Sequence, residues 1–265
     1  MPASLYNSGQ TPLLSIISIT LNDRDGLVRT VTSLQDQTGS VAIEHIVVDG
    51  GSGYDVRAVL EGLKWQANLH SGADSGLYDA MNTGIRMARG EYLLFLNSGD
   101  ILADADILSS ISQVLQTKSP DFLFGDSLEK QLDGTVRFKP ARPLRSLPYG
   151  MITHHQAMIF RRSVIDDHAI AYDLNYPIAA DYDFVLRVLK HCQNPEFLPQ
   201  EICLFEHGGL SYQKRDQARL EQFRIRRAAY GSPVFAAWVF ALQWGLSSFR
   251  EAFPSGYWAI RRRFG

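Results

Sequence analysis

The sequence predicts an α/β protein: a mostly parallel sheet flanked by helices, followed by a C-terminal helical extension. Two observations predict it. Short apolar runs alternate with stretches of helical periodicity, and the runs are apolar on both faces, as strands are when helices cover a sheet on both sides. With 265 residues, 45% of them hydrophobic and 20% charged, the chain is long enough to bury such a core.

The elements follow in order. "LLSIISITL" (13–21) reads as a first strand, and "GLVRTVTSLQDQ" as a helix with Leu27, Val31 and Leu34 at helical spacing. "IEHIVVDGG" (43–51) is a second strand, "VRAVLEGL" a short helix, and "LHSG" near residue 70 a third strand. "GLYDAMNTGIRMARG" sets Leu77, Met81, Ile85 and Ala88 along one helical face and stops at Gly90, and "EYLLFL" is the next strand. "SLEKQLDGTVRFK" reads as a hairpin turning at Asp133 and Gly134.

Composition narrows the function. A net charge of −2 leaves no footprint for nucleic acid. Cys192 and Cys203 are the only cysteines and lack metal-type spacing, which predicts reduced thiols in a cytoplasmic setting. The first residues lack a positive region before their apolar run, so no secretory signal is expected.

In open α/β sheets ligands bind beyond the carboxyl ends of the strands. Asp49 and the run Asn97, Ser98, Gly99, Asp100 end strands abruptly and so occupy such positions. Each alone also reads as an ordinary turn. Asp79, Asn82 and Arg86 share one face of the intervening helix, which equally describes a solvated polar face.

The segments "IVVDGGS", "DSGLYDAMNTGIRMARGEYLLFLNSGD" and "AADYDFVLRVL" together resemble the family 2 glycosyltransferases, inverting enzymes of the GT-A fold, and particularly bacterial members that build exopolysaccharides such as colanic acid. The resemblance spans residues 13–212. It implies a catalytic domain over 1–212, with donor binding centred on 13–100 and the acceptor part on 101–212, and a helical extension over 213–265. Thr20, Asn22, Asp49 and Ser52 would then bind the donor nucleotide; Asp74, Asp79 and Asn82 would line its pocket, with Gly76 and Gly84 allowing close approach. Asn97 and Ser98 would join them. Asp100 would hold Mg²⁺ or Mn²⁺ against the diphosphate of a nucleotide sugar, offsetting the charge that develops on the leaving group. The tip departs from the commoner "LDADD" form, because Asn97 and Gly99 stand where carboxylates often occur.

Inversion needs a base opposite the leaving group to take the acceptor hydroxyl's proton. Asp181 matches the family's base, with Phe184, Val185, Val188 and Leu189 as the packing face of its helix. An acid in a first helical turn also simply favours the helix dipole, and Asp183 offers the same. His154, His155 and Gln156 suit acceptor or phosphate contacts, or are satisfied histidines of the interior or surface. His207, in "FEHGGLSYQKR", would approach the metal or diphosphate, although its double glycine first of all implies a tight turn. The expected acceptor is a glycan or polyprenol-linked glycan.

From Ser232 the composition shifts to "SPVFAAWVFALQWGLSSF", then to "YWAIRRRFG". Aromatics beside arginines describe a helix lying on a membrane, here the inner face of the plasma membrane, with Phe235, Trp238, Val239, Leu242 and Leu246 inserted and Arg261, Arg262 and Arg263 at the headgroups. A helix that caps the domain or forms an oligomer contact is the alternative. For the whole chain, two other classes stand beside the transferase: a nucleotide-sugar-binding scaffold without catalysis, and a nucleotidyltransferase, whose glycine-rich basic phosphate loop is missing because "TLNDRDGL" has no lysine.

Overall fold

The computed structural model describes residues 11–206 and 214–252, with side chains through Gly245. Strands β1 (Leu14–Thr20), β2 (Ile43–Asp49), β3 (Asn68–Ser71) and β4 (Tyr92–Phe95) alternate with helices α1 (Arg24–Gln35), α2 (Val56–Gly62) and α3 (Leu77–Met87). Then come β5 (Ile101–Leu102), α4 (Ile107–Lys118), β6 (Phe122–Lys130), β7 (Val136–Lys139), β8 (Met158–Arg161), α5 (Arg162–Asp167), α6 (Ala180–His191) and β9 (Pro195–Glu206). Helices α7 (Arg215–Tyr230) and α8 (Pro233–Ala252) form the extension.

The sheet runs β3-β2-β1-β4-β8-β6-β9-β5, with β7 hairpinned onto β6. β3, β2, β1 and β4 are parallel, as are β6 and β9. β8 runs antiparallel between β4 and β6. The reason lies in how the chain reaches it: a 3₁₀ turn at His155–Ala157 feeds β8 from the carboxyl edge of the sheet, so the strand descends against β4. That insertion sets His155 and Gln156 at the tip of β4.

Both faces of the sheet are covered. Ile17 and Ile19 of β1 share a buried cluster with Met81 of α3 and Phe184, Val185 and Val188 of α6, while Leu14 and Ile16 share another with Leu34 of α1 and Leu108 and Ile111 of α4. Helix α3 lies close to β1 because residue 84 is glycine; a Cβ there would stand 2.3 Å from Ile17 Cγ2. Gly76 has open space around it and a φ of +122°, a conformation that favours glycine.

Across the strands runs a buried chain of hydrogen bonds. Trp65 Nε1–H donates to His45 Nδ1 (2.8 Å), which leaves His45 Nε2–H to donate to Ser18 Oγ (2.9 Å), whose own proton goes to the Leu96 carbonyl (2.5 Å). Burial lowers His45 to about 3, so the ring is neutral, as this chain requires. It locks β2, β1 and β4 together one residue before Asn97.

Helix α8 turns Ala236 and Val239 into the domain, and Gln243 Nε2 donates to the Tyr149 carbonyl at 3.0 Å. Val239 is therefore not on the outward face expected for a membrane contact, and Phe235 packs on Tyr149 and Tyr230. The exposed stripe is Val234, Trp238 and Leu242, with Trp244 beside it. Leu246's side chain and Arg261–Arg263 lie outside the described residues. Among the described residues no helix is long and apolar enough to cross a membrane. Cys192 and Cys203 are free thiols.

Candidate active site

Parallel register brings the first group of residues together, because Thr20 pairs with Asp49 and Asp49 with Ser71 at the carboxyl edge. Asp49 is 4% exposed, and its Oδ1 accepts the Ser52 amide at 2.9 Å. Ser52 Oγ in turn accepts the Asn22 amide (2.8 Å), and Asn22 Oδ1 accepts the Gly53 amide (2.8 Å). Thr20 Oγ1 lies 3.4 Å from the Tyr54 hydroxyl. Thr20, Asn22, Asp49 and Ser52 thus form one interlocked cradle.

Asp74 adjoins it. Its Oδ2 stands 2.6 Å from where a Cβ on Gly50 would be, and its Oδ1 accepts the Gly76 amide at 2.9 Å. Asp79 Oδ2 accepts the Ser75 amide at 3.0 Å, stiffening the same loop at the start of α3. Asn82 is placed differently from the expected pocket-lining position. It is buried, and its amide both donates to the Tyr172 carbonyl (2.9 Å) and accepts the Tyr172 N–H (2.8 Å), so it fastens α3 to the segment before α6.

The tip of β4 is shaped by a residue that sequence reasoning missed. Thr30 of α1 is fully buried; its Oγ1 donates to the Asp100 carbonyl (2.8 Å) and accepts the Gly99 amide (3.1 Å). Its signal was there: a polar residue on the helical face of Leu27, Val31 and Leu34. Gly99 has a φ of +94°, in the left-handed region that favours glycine. Within this turn Asn97 Oδ1 and Ser98 Oγ are buried and find no hydrogen-bond partner among the described residues. Such atoms destabilise the fold unless something bonds to them, and a polar ligand at the tip would do so.

Asp100 is 5% exposed. Gln156 Nε2 donates to its Oδ2 at 2.7 Å and the Glu206 amide reaches its Oδ1 at 3.5 Å. Burial pushes Asp100 up to about 7, against the lowering effect of these two hydrogen bonds, and the charges of Glu206 and Asp23 add to the rise. A buried carboxylate facing other carboxylates fits a cation. Among the described residues no group of three His, Cys, Asp or Glu side chains is arranged to hold a metal ion, so the protein would supply few ligands and the rest would come from diphosphate and water.

Asp181 lies in the first turn of α6, partly buried, with its Oδ1 accepting the Tyr182 amide at 2.8 Å. Burial raises it to about 6 against the lowering effect of the Tyr182 amide's hydrogen bond. Asp183 is committed elsewhere, to Arg187 at 2.6 Å.

The dipeptide His155–Gln156 divides its roles. His155 is buried, stacked on Phe95 (4.9 Å between centroids), with Nε2 2.7 Å from the Tyr172 hydroxyl. Burial lowers it to about 3, so it is a neutral core histidine rather than the phosphate contact that was one of its two readings. Gln156 is buried and bonds Asp100 instead of reaching outward. His154 sits between Ser127 Oγ (3.0 Å) and Lys139 Nζ (2.8 Å), stacked on Phe205. His207 lies outside the described residues.

An interlocked polar cradle at the ends of parallel strands, a buried carboxylate at the next strand tip and an acid at a downstream helix start stand on a sheet of the GT-A glycosyltransferase fold. The model of glycosyl transferase family 2 matches residues 15–168, and the chain belongs to that family. An uncharacterized glycosyltransferase of Mycobacterium tuberculosis is 38% identical over 216 residues, which cover 78% of this chain and 80% of the relative. A PGL/p-HBAD biosynthesis glycosyltransferase of Mycobacterium bovis is 31% identical over 210 residues, 76% and 79% of the two chains. Among solved structures, S. aureus TarS 1–349 in complex with UDP-GlcNAc superposes with a TM-score of 0.67 at 18% identity, covering 86% of this chain and 70% of that one. The mannosyltransferase PcManGT from Pyrobaculum calidifontis in complex with GDP-Man and Mn²⁺ does so with 0.62 at 14% identity, covering 96% and 80%.

Proposed function

We propose that this glycosyltransferase moves one sugar, with inversion, from a nucleoside-diphosphate sugar to a hydroxyl of a glycan or polyprenol-linked acceptor in cell-surface polysaccharide synthesis of the exopolysaccharide kind. The observation that carries the donor half is the pair of unpartnered polar atoms, Asn97 Oδ1 and Ser98 Oγ, next to the buried Asp100 carboxylate. The donor's base and ribose rest in the cradle of Thr20, Asn22, Asp49 and Ser52, with Asp74 and Asp79 stiffening its wall. Asp100, oriented by Gln156, would hold Mg²⁺ or Mn²⁺, which would supply positive charge to offset that on the departing diphosphate. Asp181 accepts the acceptor hydroxyl's proton as the new bond forms. Raised to about 6, it is still mostly ionised at neutral pH and a stronger base than an ordinary aspartate.

The division into a catalytic domain, 1–212, and an extension, 213–265, is part of this reading. So is a cytoplasmic location with peripheral contact to the inner face of the plasma membrane, supported by the exposed Val234, Trp238 and Leu242 of α8. The test is calorimetry with UDP- and GDP-sugars and Mn²⁺, followed by NMR of the anomeric proton of the product. Inverted product supports the proposal; nucleotide binding with neither transfer nor donor hydrolysis would point to a binding protein instead.

A further inference from the structure

Helix α6 begins at a residue that offers its own N-terminus no side-chain cap, Ala179. The carboxylate comes from another helix. Glu221 of α7 is 3% exposed, and its Oε2 accepts the amides of Ile178 (2.9 Å) and Ala179 (2.8 Å), while Oε1 accepts Gln217 Nε2 at 2.9 Å. From the opposite side the Tyr78 hydroxyl donates to the Ile178 carbonyl at 2.9 Å. The peptide leading into α6 is therefore gripped on one side by the donor half and on the other by the C-terminal extension. Two residues further on stands Asp181.

Resting on the assignment of Asp181 as base, we infer that Glu221 is a positioning residue for it: by bonding the Ile178 and Ala179 amides it fixes the first turn of α6, and thereby the height and direction of the Asp181 carboxylate. The extension would then be part of the catalytic apparatus rather than an appendage. The arrangement also has an electrostatic side. The titratable groups facing Asp181 are Tyr78 from α3, Tyr172 from the segment before α6, and Glu221 from α7; Asp183 on its own helix is paired with Arg187. Glu221 is the negative charge among them, and it raises Asp181 in addition to the larger effect of burial.

Two variants of the full chain separate positioning from plain structural support. Glu221→Gln keeps an acceptor oxygen for both amides and removes the charge; Glu221→Ala removes both. Glu221→Ala is expected to lower kcat on the order of 10²-fold with donor KM nearly unchanged, as misplacement of a reacting group does. Glu221→Gln is expected to restore most of that loss while the acid limb of the pH–kcat/KM profile moves down. Unchanged kcat in Glu221→Ala, parallel loss of kcat and donor affinity there, or a loss in Glu221→Gln as large as that in Glu221→Ala, would overturn the inference. If Glu221→Ala does not fold, Glu221→Asp decides: it keeps the charge but is too short to bond both amides, so a fall in kcat with donor KM unchanged supports positioning and parent-like turnover overturns it. Full turnover in Asp181→Asn would defeat the base assignment itself, whereas an inactive Asp181→Asn with a fully active Glu221→Ala defeats only the role of Glu221.

Discussion

Gln156 donates its side-chain N–H to Asp100 Oδ2 across 2.7 Å, and both residues are buried. The bond joins the tip of β4 to the turn that starts β8, two points 56 residues apart in sequence. Because Asp100 has no second carboxylate beside it in "NSGD", its orientation depends on this partner.

Asp100→Ala should therefore abolish metal-dependent nucleotide binding, and Asn97→Ala should weaken it less. Gln156→Ala should leave the carboxylate in place but unoriented, lowering metal-dependent affinity by about 10- to 100-fold, as loss of a partner to a metal ligand does. Calorimetry of UDP and GDP with and without Mn²⁺ measures all three. Unchanged Mn²⁺-dependent affinity in Asp100→Ala would remove Asp100 from the metal site.

The second prediction separates the two acids of α6. Asp181→Asn should lose turnover on the order of 10²- to 10⁴-fold with donor affinity nearly unchanged. Asp183→Asn, which frees Arg187 but no base, should keep most of its rate. With the base held at about 6, the parent's kcat/KM should fall as pH drops through that value. The reverse ranking of the two variants would move the base to Asp183.

Stability against pH follows from four groups whose titration is displaced by withdrawal from water. His45 and His155 are lowered from 6.5 to about 3, so the unfolded chain binds more protons there and stability is lost as pH falls below 6.5. Asp100 and Asp181 are raised from 3.8 to about 7 and about 6, so the folded chain binds more and stability is gained as pH falls toward 3.8. Between pH 6 and 4 the two pairs oppose each other, and the urea midpoint in EDTA should change little; below 3.8, of these four groups, only the histidines differ, and it should drop. An Asp100→Asn, Asp181→Asn double variant should lose the plateau and decline from pH 6.5 onward. A plateau that survives in the double variant would mean that other groups carry it.

How far the sequence reached can be traced residue by residue. Asp49 and the Asn97–Asp100 turn were legible because a strand apolar on both faces that stops at small polar residues marks the carboxyl edge, and α6 was legible from its apolar spacing. Strand β9 was not: Pro199 and its acidic residues break any alternation, and it is a strand because β6 pairs with it, with register shifts between Gly125 and Ser127. Thr30, Gln156 as partner of Asp100, and Glu221 all act through contacts distant in sequence. Of two adjacent histidines, nothing local shows that His155 turns into the aromatic core while His154 meets Lys139.

The last prediction concerns α8. Its inner side is fixed by Ala236, Val239 and the Gln243–Tyr149 bond, so the helix is part of the fold, yet Val234, Trp238 and Leu242 stand exposed on its other side. An apolar stripe with tryptophan, continuing into a sequence with three arginines, matches a helix that rests on an anionic bilayer. Two contributions then act together and answer differently to salt. Each arginine near the surface contributes about 1 kcal/mol and fades as ionic strength rises, whereas the apolar contribution persists. The full chain should co-sediment with anionic liposomes, less so in high salt. A Trp238→Asp, Leu242→Asp variant should stay in the supernatant and remain folded, its urea midpoint lowered only modestly, because Trp238 packs part of its ring on Tyr149 and Phe235 while the rest of both side chains is exposed. Replacing Arg261, Arg262 and Arg263 with alanine should weaken binding at low salt and flatten its salt dependence. Liposome binding that is indifferent to the aspartates would assign attachment to another surface, and a parent chain that ignores liposomes while the aspartates alter its oligomeric state would make the stripe a contact between copies.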